Sequence, residues 1–111
     1  MKLNKILNEI NFKQIYIADT NKEIESGYCC DLLSEVMGKA KENSIWITVH
    51  SNLNVIAVAS MLEIAVVVIA EGHSVNEEFL KKAEAKGISV LETSENSFEI
   101  TGQLYNLGIR G

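Results

Sequence analysis

The chain has 111 residues, of which 47% are hydrophobic and 23% are charged, and it contains no proline. That length suits one compact domain over residues 1–111 and leaves no room for a core plus a separate catalytic domain. The formal net charge of −5 disfavours a nucleic-acid partner, because proteins that bind polyanions usually present a basic surface.

The N-terminus and the cysteines predict a cytoplasmic protein. The opening residues are too polar for a secretory signal, and no apolar run approaches the ~20 helical residues that span a bilayer, so we expect no membrane contact. Cys29 and Cys30 are the only cysteines, and they lack the C-x-x-C spacing of a redox pair or half a zinc site. We therefore expect two plain thiols in a reducing compartment.

The beginning of the chain predicts one helix and one strand. Apolar residues recur at helical spacing over residues 3–10. Gln14–Ala18 has the composition of a first strand, closed by the turn-prone residues that begin at Asp19 and Thr20. The segment Lys22–Tyr28 has too little periodicity for an assignment, and we treat it as extended or loop.

The middle of the chain predicts a helix, a strand and a second helix. Asp31 is a candidate N-cap or first-turn acid for the first of these helices. Ser44–Val49 has the pattern of a strand. Leu53–Glu63 is rich in Val and Ile, but a crossover between two parallel strands is usually a helix, so we expect a buried helix. Ser51 or Asn52 can cap it.

The stretch Ile64–Ala70 is apolar throughout and mostly β-branched. A strand that is apolar on both faces has to be covered on both faces, as in the middle of a parallel sheet flanked by helices. Helix-length segments separate it from the strand-like Ser44–Val49 and Ile88–Glu92. The sequence therefore predicts an α/β fold in two or three layers, with a mainly parallel sheet of four or five strands.

Capping residues delimit the helix before the last strand. Ser74 and Glu77 have the spacing of a capping box, and Gly87 is a typical residue for the end of this helix.

The terminal helix is expected to begin near Ser94 or Asn96 and to end at Gly108, with Phe98 among its apolar residues. Gly102 lies inside it, where glycine costs ~1 kcal/mol relative to alanine. It either lets the helix approach a sheet or a second subunit closely, or is a tolerated surface glycine.

Polar residues follow each predicted strand, and ligands of parallel α/β sheets usually bind outside the carboxyl ends of the strands. The candidate ligand-binding residues are Asp19 and Thr20 after the first strand, His50, Ser51 and Asn52 after the second, Glu71, Gly72 and His73 after the third, and Thr93 and Ser94 after the fourth. Polar loop residues that only cap helices are the simpler alternative. A small enzyme or metal-binding protein that uses His50 and His73 is a further one.

No complete catalytic motif supports the enzyme alternative. Zinc catalysis ordinarily needs three protein ligands, and neither H-E-x-x-H nor a cysteine cluster occurs. Gly72 precedes a helix N-terminus, which attracts anions, but both glycine-rich phosphate motifs are absent. Ser51 has no G-x-S-x-G context. We therefore assign no catalytic residue, metal or cofactor.

Four stretches carry a family resemblance: Gly27–Met37, Trp46–His50, the apolar strand that closes at Glu71 and Gly72, and Lys82–Ile88. They are similar to the DRTGG domain family, and in particular to its short stand-alone members related to the N-terminal domain of HPr kinase. The similarity extends from about Gly27 to Ile109. In place of the Asp-Arg and Thr-Gly-Gly of the family name, the chain has His50-Ser51-Asn52 and Ala70-Glu71-Gly72.

The resemblance implies a homodimeric α/β domain with a regulatory or accessory role and no kinase activity. Such a domain would sense a small anionic ligand, of nucleotide or phosphate type, or bind a protein partner. The systems implied are redox or hydrogenase-type enzymes and kinase-type enzymes. A purely structural subunit of a redox enzyme complex is another interpretation.

Overall fold

A computed structural model describes residues 1–111 and contains five helices and five strands. In chain order they are α1 (Leu3–Glu9), β1 (Lys13–Tyr16), β2 (Ser26–Cys29), α2 (Leu33–Lys39), β3 (Ser44–Thr48), α3 (Leu53–Met61), β4 (Val66–Ile69), α4 (Glu77–Lys86), β5 (Ser89–Glu92) and α5 (Ser97–Leu107). The strands form one sheet in the order β1-β5-β4-β3-β2. The predicted α/β fold is confirmed. None of the helices has the length and apolar content needed to cross a membrane.

The strand β4 occupies the middle of the sheet, between β3 and β5, and is parallel to both. Every residue of Ile64–Ala70 is buried, as the apolar run predicts. One face of the sheet packs against α1 and α5, and the other packs against α2, α3 and α4. The fold therefore has three layers. Trp46 is fully buried on the face covered by α2, α3 and α4, and its indole Nε1 donates to the Cys30 carbonyl at 2.9 Å.

The strand β1 runs antiparallel to its neighbour β5, with Lys13 opposite Glu92. The prediction of a strand here is confirmed, but the implied parallel direction is wrong. No helix connects β1 to β2, so the crossover that makes the other strands parallel is missing. As a result, Asp19 and Thr20 follow β1 at the end of the sheet where β4 and β5 begin, opposite to the predicted site.

The edge strand β2 overlaps the end of the segment Lys22–Tyr28, which the sequence analysis treats as extended or loop, and continues to Cys29. Gly27 explains its weak pattern, because a Cβ at this position would lie 2.8 Å from Ile109 Cγ2. Only glycine lets the C-terminal residues pack this closely, and the Gly27 N–H donates to the Arg110 carbonyl at 2.9 Å. Glycine at this position, which has no side chain, therefore permits the contact between β2 and the C-terminal residues.

Asparagine side chains cap three helices. Asn52 accepts from Asn54 N and caps α3, while Asn96 accepts from Glu99 N and caps α5, as predicted. The prediction of a capping box between Ser74 and Glu77 is wrong, because the N-cap of α4 is Asn76, whose side chain accepts from Phe79 N. An asparagine oxygen two residues closer to the helix satisfies the same free N–H groups. The C-cap of α4 is Gly87, as predicted, in the left-handed conformation.

One local prediction fails because the side chain has other partners. Asp31 is not the N-cap of α2, which begins after Leu32 without a side-chain cap. Its Oδ1 instead accepts from Thr48 Oγ1 at 2.8 Å and from Val49 N at 2.9 Å, which ties the end of β2 to the end of β3. The terminal helix forms as predicted, and its Phe98 is 85% exposed.

Candidate ligand-binding cleft

A cleft of about 570 Å³ opens at the carboxyl ends of β4 and β5, beside the start of β1. Its walls come from residues 11–13, 72–74 and 92–95, together with Gln103 of α5. These segments are far apart in the sequence, and the sheet topology brings them together. The place agrees with the rule that ligands of parallel α/β sheets bind outside the carboxyl ends of the strands.

Four of the predicted site residues line this cleft: Gly72 and His73 after β4, and Thr93 and Ser94 after β5. The Thr93 side chain is buried, and its Oγ1 accepts from Glu95 N at 3.2 Å. The Glu95 carboxylate in turn accepts from Gln103 Nε2 at 2.5 Å. These hydrogen bonds connect the loop after β5 to α5.

Glu71 is close in sequence to the cleft, but its carboxylate belongs to the fold. Its Oε2 accepts from Ser97 N at 2.9 Å, in the first turn of α5. A carboxylate is favourable there because the N-terminus of a helix carries partial positive charge. Its backbone is left-handed, with φ of 63°, and Gly72 follows at 75°. This tight turn places the Glu71 carboxylate against α5 and Gly72 at the cleft.

The residues after β3 lie outside the cleft. His50 is exposed and does not share the cleft with His73, and Asn52 is used as the cap of α3. Ser51 does not line the cleft either. No cluster of three or more His, Cys, Asp or Glu side chains occurs that could hold a metal ion. The two histidines therefore do not form the shared site that the enzyme alternative requires.

Asp19 and Thr20 lie at the opposite end of the sheet. Asp19 lines a second cleft of about 400 Å³, together with residues at the starts of β4 and β5 such as Ala65 and Ser89. Its Oδ1 accepts from Asn21 N at 2.9 Å, which closes a local turn. Grouping these two residues with the other candidates is wrong, because β1 runs in the opposite direction to β5.

Glu92 is the most informative residue that the sequence reasoning missed. It ends β5 and lines the cleft, yet it is only 7% exposed. Its Oε2 accepts from Val75 N at 3.0 Å, whereas the nearest cation to Oε1 is Lys13 Nζ at 3.9 Å, beyond hydrogen-bond distance. A carboxylate that ends a strand with Val90 and Leu91 before it was the available signal.

A family model for the DRTGG domain matches residues 2–107. The chain belongs to the DRTGG domain family. No curated protein sequence matches it. The family membership confirms the resemblance seen in the sequence.

Among solved structures, this DRTGG domain is similar to the CBS and DRTGG domains of the regulatory region of Clostridium perfringens pyrophosphatase, complexed with its activator diadenosine tetraphosphate. The TM-score is 0.78 at 18% sequence identity. The similarity covers 93% of this chain but only 45% of the pyrophosphatase chain, so this domain spans less than half of that structure. At this identity the likeness establishes the fold.

The charges of the cleft limit what this DRTGG domain can bind there. Glu92 and Glu95 contribute two carboxylates, and Lys13 is the one ammonium group among the lining residues. Lys13 is 74% exposed, and its Nζ lies 3.9 Å from Glu92 Oε1. The cleft therefore favours groups that donate hydrogen bonds and disfavours a phosphate held against its floor.

Proposed function

We propose that this DRTGG domain is a non-catalytic regulatory domain that binds a small ligand in the cleft between β4, β5 and β1. The observation that carries the proposal is the cleft itself. Its volume of about 570 Å³ is within the range of small-molecule sites, and hydrogen bonds fix its rim at Thr93 and Glu95. The side chains that line it form no nucleophile and base pair, which favours binding over catalysis.

A nucleotide-type ligand is the first choice for this cleft. The similar pyrophosphatase region is regulatory and is complexed with a dinucleotide activator. A nucleoside offers amino and hydroxyl donors that suit carboxylates such as Glu92 and Glu95. In our proposal the domain reports the bound nucleotide to a partner enzyme in the cytoplasm, of redox, hydrogenase-type or kinase-type.

Thermal melting of the purified protein tests this proposal. A ligand that binds only the native state stabilises it by RT ln(1 + [L]/Kd), about 2.7 kcal/mol at a hundredfold excess over Kd. We expect a saturable rise in melting temperature with one or more nucleotides and none with magnesium or zinc salts alone. If no nucleotide raises it, the nucleotide proposal is wrong.

A matched pair of variants locates the site. Ser94→Trp should block the cleft and abolish the ligand-induced shift, because Ser94 is exposed on its wall. Thr20→Trp adds the same side chain to an exposed loop at the opposite end of the sheet and should leave the shift unchanged. An equal loss in both variants would place the ligand elsewhere.

We also propose that the domain forms a homodimer through α5. Phe98 is 85% exposed and Tyr105 is 57% exposed, and with Gly102 they occupy positions i, i+4 and i+7 of one helix face. Space is open beside Gly102, where an added Cβ would meet nothing within 4 Å. Exposed aromatic residues around a small residue suit close contact with a second helix.

Charges on the same face support a second copy as the partner. The Arg110 guanidinium lies 3.8 Å from the centre of the Tyr105 ring, and neither Arg110 nor Glu99 forms an ion pair within the chain. If two copies of α5 cross antiparallel near Gly102, the turn with Glu99 faces the turn of the other copy that carries Tyr105 and Arg110. Two-fold symmetry forms this pair of contacts twice.

Sedimentation velocity at micromolar concentration tests the dimer, and a charge exchange tests its face. Glu99→Arg should weaken the dimer through repulsion by Arg110, and the double variant Glu99→Arg with Arg110→Glu should restore it. As a control, Met61→Ser removes a side chain that is 68% exposed on α3 and should leave the dimer intact. A monomeric wild type would contradict the proposal.

A further inference from the structure

Glu92 is a buried carboxylate with one oxygen committed to the fold and one oxygen open. Its side chain is 9% exposed, and Oε2 accepts from Val75 N at 3.0 Å. Oε1 accepts no hydrogen bond from the chain, since Lys13 Nζ lies 3.9 Å away. This oxygen can therefore accept a further hydrogen bond, from water or from a ligand. Glu92 lines the cleft, and Oε1 is the oxygen that it has left to offer to a ligand.

We infer that Glu92 selects the ligand of this cleft by accepting a hydrogen bond from an exocyclic amino group of a nucleobase. The inference rests on the nucleotide-type ligand proposed above and names the part of it that enters the cleft. Glu92 Oε1 is free to accept a hydrogen bond, which an amino group can donate, whereas a base with a carbonyl at the same position presents an acceptor to an acceptor. Hydrogen bonds to an ionised oxygen are about twice as strong as neutral ones, so the preference should be large.

The same geometry keeps phosphates away from the floor. Glu92 and Glu95 face the cleft, and Lys13 is the one cation that could offset them. The Lys13 side chain is 74% exposed, and its Nζ approaches Glu92 Oε1 only to 3.9 Å. A phosphate beside Glu92 would be repelled at close range with little compensation. The base therefore lies inside, and any phosphates project towards solvent.

The backbone N–H of Val75 makes a substitution at Glu92 unusually informative. In Glu92→Gln the amide oxygen keeps the bond to Val75 N, because an amide NH₂ there would face another donor. The NH₂ group must then replace Oε1 at the cleft. The substitution thus converts the acceptor that faces the ligand into a donor at nearly constant size. It should reverse the preference between amino and carbonyl bases.

Binding of adenosine and inosine to the full chain, measured by calorimetry, tests this inference. The two nucleosides differ at C6, where adenosine has an amino group and inosine a carbonyl, and neither carries phosphate. Cytidine and uridine repeat the comparison for a pyrimidine. We expect the wild type to bind one of the amino members at least about tenfold more tightly than its carbonyl counterpart. We expect Glu92→Gln to invert the ratio.

The outcomes separate this inference from the proposal beneath it. Equal binding of the paired nucleosides by the wild type would overturn the role of Glu92 while leaving a nucleotide-binding cleft. An unchanged ratio in folded Glu92→Gln would do the same. No saturable binding of any nucleoside or nucleotide would overturn both. The wild-type comparison can contradict the inference by itself, even if the Glu92→Gln variant does not fold.

Discussion

Asp31 and Glu92 are two carboxylates at the same end of the sheet, and they are used differently. Asp31 follows β2, is exposed, and accepts two hydrogen bonds through Oδ1, from Thr48 Oγ1 and Val49 N. Glu92 ends β5, is buried, and accepts one, from Val75 N. Each acid keeps one oxygen without a hydrogen bond from the chain, Oδ2 in Asp31 and Oε1 in Glu92, but only Glu92 lines the cleft. Asp31 ties the ends of β2 and β3 together, whereas in our proposal Glu92 offers its second oxygen to a ligand.

The largest expected effect on stability is that of Asp31→Ala. It leaves the Val49 N–H and the fully buried Thr48 hydroxyl without their acceptor, which should lower the free energy of unfolding by ~1–3 kcal/mol. Urea denaturation measures this. Asp19→Ala is the control, because Asp19 is exposed and accepts only from Asn21 N in a local turn. If Asp19→Ala lowers the free energy of unfolding by as much, the hydrogen bonds of Asp31 between β2 and β3 do not explain the loss in Asp31→Ala.

An intermediate effect is expected for Glu71→Gln. The substitution keeps an oxygen for Ser97 N but removes a negative charge from the first turn of α5. Charges at helix N-termini contribute 0.3–1 kcal/mol at low salt, so we expect a loss of ~0.5 kcal/mol that shrinks as salt is added. Glu42→Gln, at an exposed residue outside the helices, is the control. A loss that does not depend on salt would contradict the charge explanation.

Much of the fold could be predicted from local pattern, and the errors have physical causes. The uniform apolarity of Ile64–Ala70 correctly predicted a strand covered on both faces. The edge strand β2 has little such pattern, because Gly27 makes room for Ile109 instead of presenting a side chain. The direction of β1 was not predictable from composition, since a strand has the same pattern in either direction.

The candidate site was only partly predictable for the same reason. The strand-end rule selected Gly72, His73, Thr93 and Ser94, which do line the cleft. It could not select Lys13, because only antiparallel pairing between β1 and β5 places that residue opposite the end of β5. It passed over Glu92, because the rule considers the loop after a strand and Glu92 is the last residue of the strand itself.

The smallest expected effect on stability is that of Glu92→Gln, and it sharpens the comparison with Asp31 most. The amide oxygen keeps the bond to Val75 N, and the change removes a buried charge whose nearest cation is 3.9 Å away. We therefore expect the free energy of unfolding to change by less than ~0.5 kcal/mol in urea denaturation without ligand, because the lost and gained terms nearly cancel. The matched Asp31→Asn variant should also keep its two accepted hydrogen bonds. If Glu92→Gln costs more than Asp31→Ala, the charge of Glu92 holds the fold together, and its open oxygen is not reserved for a ligand.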